Sequence, residues 1–114
     1  MPPIQHWSDD IWVAQLQANE TCLTDELSQL VDSLKACEYL PHVVIDLSKV
    51  DHLVSSHLSQ LLQVRKETIT RDRKLRLSHP NNQLWAIFIT TGLDKVFTFS
   101  ENVSTALAGL QIEN

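Results

Sequence analysis

The chain has 114 residues, a mass of 13.0 kDa, 43% apolar and 20% charged residues, and a formal charge of −5. That is the size and composition of one globular domain, and it excludes an intrinsically unfolded chain. The acidic balance removes the broad attraction on which nucleic-acid binders depend, so no nucleic-acid partner is expected.

Met1 to Asp10 are polar, end in an acidic pair and lack the apolar stretch of a signal peptide; they read as an edge strand or a frayed segment. No apolar run approaches the roughly 20 residues of a membrane span, so the expected place is the cytoplasm, without direct membrane insertion. The domain is expected over residues 11–110, with 111–114 as a tail.

Residues 11–17, Ile-Trp-Val-Ala-Gln-Leu-Gln, favour a strand. Between Thr24 and Ala36, Leu27, Leu30, Val31 and Leu34 repeat at helical spacing, with Thr24 placed to cap and Asp25 and Glu26 in the first turn. Cys22 and Cys37 flank this helix, and neither has a cysteine or histidine at metal-ligand spacing, so both read as inert thiols. After Pro41, His-Val-Val-Ile-Asp-Leu has three successive β-branched residues and suits a central strand buried on both faces.

A second helix follows, with Leu58, Leu61, Leu62, Arg65 and Ile69 as its stripe and Ser55 or Ser56 as its cap. The basic run Arg65, Lys66, Arg71, Arg73, Lys74 and Arg76, interrupted by Glu67 and Asp72, reads as the solvated end of that helix and its turn. Leu75 and Leu77 mark a short strand. Pro80-Asn81-Asn82 opens a third helix with Leu84, Trp85 and Phe88 on its buried stripe, and Gly92 stops it. A strand over 95–99 and a last helix over 100–110, capped by Ser100, complete the order; Trp7 precedes the first confident strand and suits an exposed edge.

Strand and helix alternate throughout, which predicts an α/β domain with a mostly parallel sheet of four to five strands and about four helices. Enzyme signatures are absent: no G-x-G-x-x-G, no phosphate loop, no paired C-x-x-C, no nucleophile elbow, and only Gly92 and Gly109 to build a phosphate cradle. Asp51, His52 and His57 supply a carboxylate and two imidazoles, yet a turn and a first helical turn aim the rings apart, so neither a metal nor another cofactor is expected. A Ser55 nucleophile would need a base and an orienting acid that the order of elements does not bring to it, so no enzymatic activity is expected. What remains is a hydroxyl at a helix start, directly after the central strand, on the edge where α/β folds carry their working loops.

Three segments resemble the STAS family, in its branch of bacterial anti-sigma factor antagonists: residues 43–50 with 52–58 (Val-Val-Ile-Asp-Leu-Ser-Lys-Val, then His-Leu-Val-Ser-Ser-His-Leu), residues 75–78 (Leu-Arg-Leu-Ser), and residues 91–97 (Thr-Gly-Leu-Asp-Lys-Val-Phe). The resemblance covers nearly the whole chain and implies a protein-interaction module. It implies a partner kinase that is also the anti-sigma factor, of histidine-kinase-like ATPase fold, with a serine phosphatase to reverse its action. By the same resemblance Ser55 matches the phosphorylated serine, and Asp46, Ser48, His52, Val54, Ser55, Ser56, His57 and Ser59 form the partner-facing edge. The family's aspartate before the serines is Val54 here, and its glycine after them is His57. Two readings of Ser55 stand side by side, a phosphorylated switch and an unmodified helix cap. The second goes with a scaffold or accessory subunit of a signalling or transport complex.

Overall fold

The computed structural model describes residues 4–8, 10–16 and 20–113, with burial and side-chain contacts described for these apart from 5–8, 20–22 and 111–113. Trp7 and Cys22, singled out above, lie outside the described side chains. Ten elements follow in order: β1 (Ile4–Ser8), β2 (Ile11–Gln15), α1 (Glu20–Ala36), β3 (His42–Asp46), α2 (Ser55–Thr70), β4 (Leu75–Ser78), α3 (Asn82–Thr91), a 3₁₀ turn (Leu93–Lys95), β5 (Thr98–Ser100) and α4 (Val103–Glu113). The described strands form one sheet in the order β1-β2-β3-β4-β5, β1 antiparallel to β2 and the rest parallel. Among the described residues β1 lies at one edge of the sheet, and α4 runs on to Glu113.

Steady progression of parallel strands in one direction, each joined to the next by a right-handed crossover, puts the connecting helices α1, α2 and α3 on one face. Side-chain alternation confirms the two layers. Ala14, Val43, Ile45, Leu75 and Leu77 join the larger cluster with Leu27, Leu30, Leu61, Val64, Leu84 and Phe88 from those helices. Ile11, Val13 and Val44 face the other way and pack under Ala106, Leu107 and Leu110 of α4. Every residue of β3 is buried, as its run of β-branched residues demands.

Two helix phases and one strand start differ from the sequence pattern. On α2 the buried positions are His57, Leu61, Val64 and Thr68, while Leu62 and Ile69 are exposed. Apolar periodicity missed this because His57 and Thr68 are polar and satisfy their polar atoms locally; the Thr68 hydroxyl donates to the Arg65 carbonyl at 2.8 Å. On α3, Leu84 and Phe88 face the core and Trp85 lies one position round, 40% exposed, edge-on to Phe99 at 4.9 Å. Residues 93–95 form a 3₁₀ turn, so β5 starts at Thr98 instead of 95.

Helix ends show the same pattern of near agreement. Asn81 caps α3, its Oδ1 accepting from the Leu84 N–H at 2.8 Å. Asn102, not Ser100, caps α4 by accepting from the Thr105 N–H at 2.8 Å. Thr24 lies inside α1, one turn past its start. Gly92 follows α3 at φ 77, with its N–H bonded to the Ile89 carbonyl.

A Cβ at Gly92 would meet nothing within 4 Å, so substitution there meets only the left-handed backbone term. Gly92→Ala is expected to lower stability by about 1 kcal/mol, read as a lower urea midpoint at unchanged slope.

Candidate functional site

At the carboxyl end of β3 the chain must leave the centre of the sheet and enter α2, and a series of specific bonds shapes that passage. The Asp46 carboxylate is buried: Oδ1 accepts from the Ser48 N–H at 2.9 Å and Oδ2 from the Gln15 amide at 3.3 Å. This is an Asx turn, in which a side chain holds the backbone two residues on. The Leu47 N–H bonds to the Ser78 carbonyl at 2.9 Å and the Val50 N–H to the Leu47 carbonyl at 3.0 Å. Buried Val50 and Leu53 pin the loop to the core. From the side, the Asn81 amide donates to the Val50 carbonyl at 3.4 Å and the Asp51 carboxylate at 3.1 Å, so one residue both caps α3 and ties down this loop.

Helix α2 begins at Ser55 with Val54 as its N-cap, one residue earlier than a serine cap would have it. Valine offers no acceptor. The compensation runs in reverse: the third helical residue, His57, turns back and its Nδ1 accepts from the Val54 N–H at 3.2 Å. Because that nitrogen accepts, the ring proton is on Nε2, which lies 3.0 Å from the Thr24 hydroxyl of α1 and donates to it. His57 is 1% exposed. One turn on, the Gln60 amide donates to the Thr24 carbonyl at 3.1 Å and to the Ser28 hydroxyl at 2.9 Å. A polar seam of Thr24, Ser28, His57 and Gln60 therefore joins α1 to α2 where the apolar cluster ends.

Of the residues nominated for the partner-facing edge, Ser48, His52, Ser55, Ser56 and Ser59 are exposed and Val54 is half-buried. Asp46 and His57 are buried and hold the loop and the helix start from inside. His52 and His57 are not brought together as a ligand pair, and among the described residues no group of three or more His, Cys, Asp or Glu could hold a metal ion. Asn81 and Thr24 went unrecognised as parts of the site; Pro80-Asn81-Asn82 signalled only a helix start, and nothing local links Thr24 to a residue 33 positions away. Beside the loop on the same edge, Pro80, Asn82, Trp85, Phe99, Ser100 and Glu101 line an open depression of about 420 Å³.

A five-stranded sheet with four parallel strands, helices on both faces, and a serine pair opening the helix after the central strand define a small α/β domain. The model of the STAS domain matches residues 14–106, and the chain belongs to that family. No curated protein matches the sequence. Among solved structures, the chain is similar to an anti-sigma factor antagonist from Thermotoga maritima, with a TM-score of 0.82, 19% identity, and 97% of this chain and 95% of that one covered. An anti-sigma-factor antagonist (STAS) domain protein from Planctomyces limnophilus gives a TM-score of 0.81 at 18% identity, over 95% and 96%. The anti-sigma factor antagonist SpoIIAA in its unphosphorylated form gives 0.79 at 11% identity, over 97% and 96%.

Truncating His57 removes the Val54 cap bond and the tie to Thr24 and leaves a void. His57→Ala is expected to lower stability by about 2–4 kcal/mol, and Thr24→Val by about 1 kcal/mol. A double-mutant cycle in urea unfolding should return a coupling of at least about 0.5 kcal/mol; strict additivity would show that the two side chains act independently.

Proposed function

We propose that this STAS domain is a protein-interaction module of the anti-sigma factor antagonist kind, not an enzyme, and that it works in the cytoplasm. Its partner is a kinase-type anti-sigma factor, and phosphorylation of Ser55 switches the contact. The observation that carries this reading is the exposed Ser55 at the first position of α2, directly after the central strand. Ser48, His52, Val54, Ser56 and Ser59 surround it and supply the rest of the docking edge, while Asp46 and His57 set its shape from within.

Phosphorylation would add about −1.5 to −2 charges at a helix N-terminus, where free N–H groups and the helix dipole favour an anion. The isolated domain keeps its fold under that charge. A protein docked over the same edge meets new bulk and charge, and a loss of only about 1.4 kcal/mol already weakens binding tenfold. Among the described residues no helix is long and apolar enough to cross a membrane.

The test uses the full chain as bait in an extract of its own cells, with quantitative mass spectrometry of the Ser55 peptide and of captured proteins. A kinase-type partner is expected on the wild type and at least tenfold less on Ser55→Asp, whose melting temperature stays within about 2 °C of wild type. Equal capture by both forms, with no phosphate on Ser55, would overturn the switch and favour a constant scaffold.

A further inference from the structure

At the opposite edge of the sheet, where β4 and β5 begin and α2 ends, Arg65, Thr68, Ile69, Arg73, Lys74, Leu75, Arg76 and residues 96–98 line a cleft of about 200 Å³. It gathers four of the nine Lys and Arg residues of a chain whose net charge is −5. Among the described residues no carboxylate lines it; Glu67 and Asp72 belong to the same stretch of chain but not to the cleft wall. The basic run is thus more than a solvated helix end.

Two of its cations are arranged without counter-charge. Arg65 is half-buried; its Nε donates to the Val96 carbonyl at 3.2 Å, which fixes the fork, and its two Nη groups have no partner among the described residues. The Arg73 guanidinium is likewise half-buried and has none. Arg71, by contrast, is used inside the fold, its guanidinium donating to the Cys37 and Lys35 carbonyls at the end of α1.

The position of Arg73 is set by the backbone. Asp72 adopts φ 57, the Asp72 N–H bonds to the Ile69 carbonyl at 3.0 Å, and the Arg73 N–H bonds to the Thr68 carbonyl at 2.7 Å. Those two bonds make a Schellman ending, so the last carbonyls of α2 are occupied by N–H groups and the residue after the turn has a fixed direction. The negative end of the helix dipole disfavours an anion by about half a charge at most; the guanidinium forks outweigh it.

Planar guanidinium forks bind tetrahedral oxyanions in a bidentate manner, which a lone ammonium does not. The cleft lies below the roughly 300–1,000 Å³ of sites for larger ligands, which limits the occupant to a small group. We propose that this cleft is a phosphate-binding site, with Arg65 and Arg73 as the two forks, taking free orthophosphate or the phosphate of a small organic phosphomonoester. It lies at the edge away from Ser55 and does not depend on the docking role of that residue.

The test is a ¹⁵N-¹H titration of the full chain with sodium phosphate and, separately, glycerol phosphate, at ionic strength held constant with sodium chloride. Saturable shifts confined to the amides of residues 73–76 and 96–98 are expected, with at least tenfold weaker binding in Arg73→Gln and a partial loss in Arg73→Lys, which keeps charge but loses the fork. Tighter binding of glycerol phosphate would assign an organic phosphate; equal or weaker binding would assign orthophosphate. Linear shifts no larger than those from chloride, or wild-type affinity in Arg73→Gln, would overturn the site. Arg65→Gln also loses its bond to Val96, so Arg73, which makes no side-chain bond among the described residues, decides the outcome.

Discussion

A parallel strand buried on both faces is the constraint from which the rest of this molecule follows. The five residues of β3 cannot be covered by one layer, so helices must lie on both sides, and its backbone must be paired along both edges. Strands β2 and β4 do the pairing, α1 and α2 cover one face, and α4 covers the other. The chain leaving such a strand emerges in the middle of the sheet edge. It is flanked there by the loops of neighbouring strands, and it can be braced by them.

That bracing is polar and is drawn from distant parts of the sequence. Asp46 takes the Ser48 N–H and the Gln15 amide, Asn81 reaches across from the start of α3, and His57 reaches back to Val54 and over to Thr24. Each bond satisfies a group that would otherwise be left without water at the margin of the core, where an unmet donor or acceptor costs about 1–3 kcal/mol. The loop is consequently shaped by its neighbours and not by its own propensity, while its serines remain outside.

How much of this could be read from residues alone depends on whether the determining pattern is local. The β-branched run of β3, the stripe Leu27, Leu30, Val31 and Leu34 of α1, and Gly92 after α3 all carry their meaning within a few positions. Order of elements follows from them, while the family resemblance rests on the local motifs at residues 43–58, 75–78 and 91–97. Positions that went astray are those where a polar side chain occupies a buried site because a remote partner satisfies it. His57 and Thr68 shifted the apparent phase of α2, and Thr24 looked like a cap because hydroxyls near helix starts usually are. Trp85 shares the apolar stripe with Leu84 and Phe88 in the sequence, but those two are the buried residues of α3 and Trp85 lies at the helix flank.

Of the two departures from the family pattern beside Ser55, His57 lies inside the helix start and Val54 is half-buried at its edge. A glycine at position 57 would leave the Val54 N–H and the α1 seam to other partners; histidine fills that space with a ring whose two nitrogens are both used. Valine at 54 offers no acceptor to the first N–H groups of the helix; the ring makes the opposite half of a capping box by accepting from the Val54 N–H. The two positions meet in one bond, the Val54 N–H donating to the ring that turns back from position 57, and Thr24 satisfies the other ring nitrogen of that buried side chain. Because the ring lies beneath the surface, Ser55, Ser56 and Ser59 stay exposed along the start of α2, with the first N–H groups of the helix behind them.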